Sequence, residues 1–186
     1  MRLKPAEFQL SLSNKLARTL WGVTWLFLFR PTPRLFHLWR CFLLRLFGAK
    51  LGRAVHVYPS AKVWAPWNLV MGDHSCLSEH VDCYSVEKIS IGKNSTVSQY
   101  SFLCSASHNY TEEAMPLVAA PIVIGSQVWI TADVFIGPGV TIGDGVVVTT
   151  RSTVLSNIPD WMVARGTPAI PVKPRKLETK GFMGRQ

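Results

Sequence analysis

Residues 124–159 read as six consecutive hexapeptides, IGSQVW, ITADVF, IGPGVT, IGDGVV, VTTRST and VLSNIP. Residues 91–108 add three more, IGKNST, VSQYSF and LCSASH. Every first position is Ile, Val or Leu, and every fifth is Ser, Val or Ile. Glycine fills the second position at Gly92, Gly125, Gly137 and Gly143. A period of six matches neither the helical period of about 3.6 residues nor simple alternation. It suits a short strand and a tight corner repeated on each side of a triangular solenoid. The first-position aliphatics then share one interior. Three hexapeptides make an 18-residue coil, and coils stack at about 4.8 Å. Residues 91–108, 124–141 and 142–159 are three such coils, and a weaker, phase-shifted pattern through Val57, Val63 and Met71 gives about two more before them. The glycines are expected to allow positive φ at the corners. A β-sandwich would need polar turn clusters every ~8–12 residues, and they are absent. The fold class is therefore mainly β, a parallel β-helix with a helical segment before it.

The chain has 186 residues and a net charge of +9, enough for one domain. Residues 1–53 carry ten Lys/Arg and one Glu, 54–159 carry four against eight acids, and 160–186 carry six against two. The acidic middle argues against a nucleic-acid groove. The four cysteines, Cys41, Cys76, Cys83 and Cys104, form no CxxC pair, so they read as reduced thiols of a cytoplasmic protein. The apolar run Leu20–Phe29 is half of the ~20 residues a spanning helix needs. It is followed by Arg30-Pro31-Thr32-Pro33-Arg34 with no cleavage site, so a secretory signal is not expected.

Three parts follow: a helical segment at 1–50, the β-helix at 51–159 with a protruding loop at 109–123, and a basic extension at 160–186. Pro31 and Pro33 split the helical segment. At about 100° per residue, Arg34, His37, Arg40 and Arg45 share an arc of about 140° opposite Phe36, Trp39, Phe42 and Phe47. Such a stripe suits a helix in a membrane interface. It equally suits a helix packed on the protein with its arginines in water, and both readings stand. A 15-residue interruption, NYTEEAMPLVAAPIV at 109–123, is longer than a connector requires, and long excursions of this kind are usually functional. His108 sits at its mouth. A neutral imidazole there is suited to take a proton from a hydroxyl. His37 and His56 read as surface residues. His74 and His80 are candidates to line an acceptor site.

With these residues in view, the chain resembles the hexapeptide-repeat acyltransferases of the maltose/galactoside acetyltransferase-like branch. Within that branch it is most similar to the acetyltransferases of colanic acid (exopolysaccharide) biosynthesis. The resemblance runs from about Arg45 to Arg175, through RLFGAKLG (45–52), SQYSFLCSASHNYT (98–111), PIVIGSQVWITADVFIGPGVTIGDGVVV (121–148) and NIPDWMVARGTPAIPVK (157–173). It implies a left-handed β-helix, a homotrimer and acetyl-CoA held between subunits. It makes His108 the catalytic base, sixteen residues after Gly92. Ala132 and Thr150 are 18 residues apart and so stack on one corner, where a pantetheine arm along the axis would pass both. The resemblance assigns these two, with Trp129, to the coenzyme, and Lys173 and Arg175 to its phosphates. It assigns Asp82 and Ser85 to the acceptor's hydroxyls. Glu112 and Glu113 read as solvent-facing on the loop. Zinc carbonic anhydrases of this fold need two histidines five residues apart near the loop. Here the position five after His108 is Glu113, so no metal is expected.

The expected activity is acetyl-CoA-dependent O-acetylation of a sugar hydroxyl in exopolysaccharide or other surface-glycan biosynthesis. Expected partners are a sugar or glycan acceptor and a peripheral contact with the inner membrane surface, with no nucleic acid. N-acetylation of an amino sugar and a non-catalytic trimeric scaffold are the alternatives.

Overall fold

The computed structural model describes residues 11–177. Its centre is a parallel β-solenoid. The first coil is built from β1 (Lys50–Leu51), β2 (His56–Val57) and β3 (Lys62–Val63), and the second from β4 (Leu69–Met71), β5 (Cys76–Leu77) and β6 (Asp82–Tyr84). The third contains β7 (Ile89–Ile91), β8 (Thr96–Val97) and β9 (Phe102–Cys104) and then departs into a hairpin, β10 (Ala106–His108) and β11 (Leu117–Ala119). The fourth is β12 (Ile122–Ile124), β13 (Trp129–Ile130) and β14 (Phe135–Ile136), and the fifth β15 (Thr141–Ile142), β16 (Val147–Val148) and β17 (Thr153–Val154). The last strands of the described residues are an antiparallel pair, β18 (Met162–Gly166) and β19 (Ala169–Pro174).

Equivalent strands pair in parallel from coil to coil and make three faces. Face A runs β1-β4-β7-β12-β15, face B runs β2-β5-β8-β13-β16-β18, and face C runs β3-β6-β9-β14-β17. The repeat's first-position aliphatics point inward. On face B the column Val57, Leu77, Val97, Ile130, Val148 and Ala164 is wholly buried. Fully burying one Val, Leu or Ile side chain contributes roughly 1.5–3 kcal/mol, so these columns dominate the stability of the solenoid.

Two sequence expectations change here. Early coils repeat every 20 residues, as Val57, Leu77 and Val97 share one register, whereas Ile130 and Val148 are 18 apart. The two added residues lie at the corner from face C to face A, which explains the phase shift of the early pattern. Serines hold this wider corner together. Ser85 Oγ donates to the Ala65 carbonyl and accepts from the Ala65 N–H, both at 3.0 Å. The second change concerns glycine. Gly92, Gly125, Gly137 and Gly143 do not have positive φ; the left-handed positions are instead His80, Tyr100, Asp133 and Arg151 on one corner and Asn94 and Gln127 on another. A Cβ at Gly125 would lie 2.8 Å from the Asp144 amide nitrogen of the next coil. Glycine is required there for close coil-to-coil approach, not for conformation.

Helix α1 (Leu12–Thr24) starts at Ser11, whose Oγ accepts the Asn14 N–H, and continues as one π-helical stretch to Phe29. Trp21 and Trp25 donate their indole N–H groups to the carbonyls of Val63 and Ala61. These two bonds pin α1 along the first coil. Helix α2 (His37–Leu46) closes the open end of the solenoid with buried Cys41, Leu43 and Leu44.

The expected basic stripe is only partly solvated: Arg34 and Arg45 are exposed, but Arg40 is not. Arg40 is fully buried. It donates to the carbonyls of Val57, Pro33 and Arg34 and to Thr32 Oγ1. His37 is likewise no free surface residue: its ring stacks on His56 at 4.5 Å, its Nδ1 is 3.0 Å from the Val57 carbonyl oxygen, and burial lowers its pKa. The apolar face points outward instead, with Leu35 88% and Leu38 81% exposed and Phe42 and Leu46 beside them. Residue 159 is not a structural boundary, because Ile158 bridges Ile142 and β18 adds to face B beside β16. All four cysteines are free, and burial pushes the Cys83 thiol far up.

Candidate active site

His108 ends β10, opposite Leu117 in the hairpin register. The hairpin exists because the third coil, instead of turning into face A, runs outward from Ser105 and returns at Ala120, whose N–H binds the Ser105 carbonyl. The tip closes by the Asn109 N–H to Pro116 carbonyl bond. Met115 takes φ +40, a left-handed value uncommon for a non-glycine residue. Its carbonyl oxygen lies 2.7 Å from His108 Nδ1. A carbonyl only accepts, so Nδ1 carries a proton, and in the neutral ring Nε2 is the nitrogen with the lone pair. The ring is exposed. The imidazole is held by its back nitrogen, and Nε2 is free to face a ligand. Glu112 accepts from Asn109 Nδ2 at the same tip, and Glu113 is exposed.

Ala132 and Thr150 do stack on one corner, between faces B and C. The Arg151 N–H donates to the Ala132 carbonyl, and the Thr131 and Thr150 hydroxyls are 3.2 Å apart. Among the described residues no acceptor meets the N–H of Ala132 or of Thr150. The corner therefore offers small side chains and free amide donors along the axis. Trp129 stands on face B, half exposed, with its indole N–H bonded to Ser98 Oγ. Thr150 also lines a 470 Å³ groove with Arg165 and Val172.

The two terminal cations divide. Lys173 borders a separate 500 Å³ groove with Val163 and Lys176. Arg175 donates to the carbonyls of Gln127 and Gly145, so it is tied to the corner between faces A and B, away from Ala132 and Thr150. Two cations line the groove at Thr150, Arg151, which is paired with Asp133, and Arg165, which sequence reasoning missed. Its only signal was its place in the quoted NIPDWMVARGTPAIPVK stretch.

The acceptor candidates also divide. Asp82 is half-buried on face C beside Lys62, its pKa raised by that burial. It lines a 260 Å³ hollow with His80, Lys62 and Trp25. Ser85 does not present its hydroxyl to any ligand. It is fully buried, and both its donor and an acceptor position are committed to Ala65. His74 lies on another corner, its N–H bound to the Arg53 carbonyl.

Comparison with known proteins fits this geometry. The chain is 43% identical over 167 residues to WcaF, an acetyltransferase assigned to colanic acid biosynthesis in Escherichia coli K12, covering 90% of this chain and 91% of that one. The chain belongs to the hexapeptide-repeat acetyltransferases. A crystal structure of a hexapeptide-repeat acetyltransferase from Vibrio cholerae, complexed with acetyl-CoA, superposes with a TM-score of 0.79 at 27% identity, covering 89% and 91% of the two chains. A maltose O-acetyltransferase from Clostridium difficile superposes with a TM-score of 0.82 at 26% identity, covering 90% of each. No family model matches the chain. In this acetyltransferase, then, His108 and the corner at Ala132 and Thr150 are two separate parts. They flank face C from opposite edges.

Proposed function

We propose that this acetyltransferase moves the acetyl group of acetyl-CoA onto a sugar hydroxyl in the synthesis of an exopolysaccharide or other surface glycan. The observation that carries the reading is the bond from His108 Nδ1–H to the Met115 carbonyl, which leaves Nε2 as a base. Nε2 takes the hydroxyl proton as the sugar oxygen attacks the thioester carbonyl. A C–O bond forms, the C–S bond breaks, and the proton passes from His108 to the departing sulfur. Acetyl-CoA supplies an activated acyl group. Ala132 and Thr150 fit its pantetheine arm through small side chains and unpaired amide donors, and Arg165 is placed to meet an anionic group beside them. Backbone N–H groups stabilise the charge that develops on the carbonyl oxygen.

The same reading makes the enzyme a homotrimer. Tyr100, on the corner column of Ala132, and His108 are separated by eight residues of mainly extended chain. At about 3.3 Å per residue this is up to about 26 Å of chain, beyond any hydrogen bond. The base of one subunit therefore serves the coenzyme corner of another. Acceptor-dependent release of CoA, measured alongside sedimentation at falling protein concentration, tests both points. Activity is expected to fall as trimers dissociate, and a fully active monomer would overturn the shared site.

The reading also includes peripheral contact with the cytoplasmic face of the inner membrane. Among the described residues no helix is long and apolar enough to cross a membrane. What supports surface contact is the outward apolar face of Leu38, Phe42 and Leu46 on α2, with Leu35 just before it, in a segment where residues 1–53 hold ten bases and one acid. Each exposed cation near an anionic leaflet contributes about 1 kcal/mol, and buried apolar area adds a part that salt does not screen. Vesicle co-sedimentation of the full chain should show stronger binding to anionic than to zwitterionic lipid. Leu38→Glu with Phe42→Glu should remove it. Equal partitioning of variant and wild type would mean that this face serves another contact.

A further inference from the structure

Below the coenzyme corner, the groove between α1 and face C has two lobes that share Trp25 and Lys62 as a wall. One, of 170 Å³, is lined by Arg18, Trp21, Lys62 and Trp64. The other, of 260 Å³, adds Arg30, Ser60, His80 and Asp82. Arg18 and Lys62 thus face one lobe and Arg30 and Lys62 the other, where Asp82 is the single carboxylate. Among the described residues, Arg18, Arg30 and Lys62 form no ion pair within 4.0 Å; the pairs present are Arg34–Glu79, Arg53–Asp73 and Arg151–Asp133. Both arginines are pre-positioned on aromatic rings. The Arg18 guanidinium lies 4.2 Å from the Trp64 ring centre, and that of Arg30 lies 5.5 Å from Trp25. The Trp25 ring is fixed in turn by its bond to the Ala61 carbonyl. Arginines ordered before binding lose little entropy when they meet a planar anion.

The cleft also lies in line with the coenzyme corner. Ser60 Oγ accepts the His80 N–H, the His80 ring stacks on Tyr100 at 5.0 Å, and the Tyr100, Asp133 and Arg151 amides bind the rungs below them. At about 4.8 Å per rung, His80 is two rungs, or roughly 10 Å, from Ala132. A compound whose hydroxyl reacts near the thioester can extend its next unit into the cleft.

We propose that this cleft is an acceptor subsite for a negatively charged sugar unit, a residue neighbouring the one acetylated, with its carboxylate held by Arg18 and Lys62 in one lobe and its hydroxyls met by Asp82 and His80 beside Arg30 in the other. The proposal rests on the reading that the acceptor is a glycan. It requires a chain of at least two units, of which one is acidic.

The test is binding rather than turnover, so that it fails independently of the acetyl-transfer reading. Full-length His108→Ala protein is titrated with short oligouronates, with the same oligosaccharides after carboxyl reduction, and with inorganic pyrophosphate, and tryptophan fluorescence is followed. At least one acidic oligosaccharide should bind tenfold or more tightly than its neutral counterpart. Lys62→Gln and Arg18→Gln, which leave the core untouched, should each weaken it severalfold and flatten its salt dependence. Equal binding of acidic and neutral sugars, or unchanged binding in both variants, overturns the proposal. Pyrophosphate binding as tightly as the best oligouronate overturns the carboxylate assignment and points to a diphosphate-linked sugar.

Discussion

Replacing His108 with alanine should lower kcat by roughly 10²–10⁴, the usual contribution of a positioned general base. The melting temperature and the Kd for acetyl-CoA should change little. His108 is exposed at the end of β10, so its loss opens no cavity. It also stands at the opposite edge of face C from Ala132 and Thr150. The expected signature is a fall in kcat without a matching rise in the coenzyme's KM, because the lost interaction acts in the transition state. Near-normal turnover in the variant would remove His108 from the mechanism.

The second large effect is structural. Arg40→Met should destabilise the chain by about 3 kcal/mol or more. The variant removes four hydrogen bonds donated by a buried guanidinium, to the carbonyls of Val57, Pro33 and Arg34 and to Thr32 Oγ1, and a hydrogen bond to a charged group contributes roughly 1.5–3 kcal/mol. At about 2–4 °C per kcal/mol for a chain of this size, calorimetry should show a loss of roughly 6–12 °C. Arg53→Met, which breaks only an exposed pair with Asp73, is the control and should move the midpoint far less. A similar midpoint for both variants would mean that α2 is not held to the first coil through Arg40.

Arg40 also shows where sequence reasoning stopped. The spacing of Arg34, His37, Arg40 and Arg45 drew a polar side for α2, yet Cys41 and Leu44 are buried on that side with Arg40, while Arg34 and Arg45 are exposed. It could not say which side faces the protein, because the decisive acceptor, the Val57 carbonyl, lies 17 residues away. The solenoid itself was legible because each hexapeptide writes its own inward position, from Val97 to Ile130 to Val148. Gly92 and Gly125 were legible as corner residues, but not their reason, since positive φ and close approach select glycine alike. Ser85 was misread because a buried serine stapling a corner and a serine awaiting a sugar share the same sequence context. His108 was singled out from its place beside the loop, yet the bond on which its proposed role as base rests depends on the Met115 carbonyl and on a hairpin register that no repeat encodes. Arg165 and Arg175 are equally basic in sequence, and only the return of β19 along β18 separates the one beside Thr150 from the one tied to Gln127 and Gly145.

The most direct measurement is the linkage in the product. The full-length enzyme is incubated with acetyl-CoA and a panel of neutral and acidic oligosaccharides, and any acetylated sugar is treated with mild base before mass spectrometry. Attack by a hydroxyl activated at His108 predicts an acetyl ester that mild base removes, formed by wild type and lost in His108→Ala. An acetyl group that survives the base as an amide, or acetyl-CoA consumed equally with and without sugar, would contradict sugar O-acetylation.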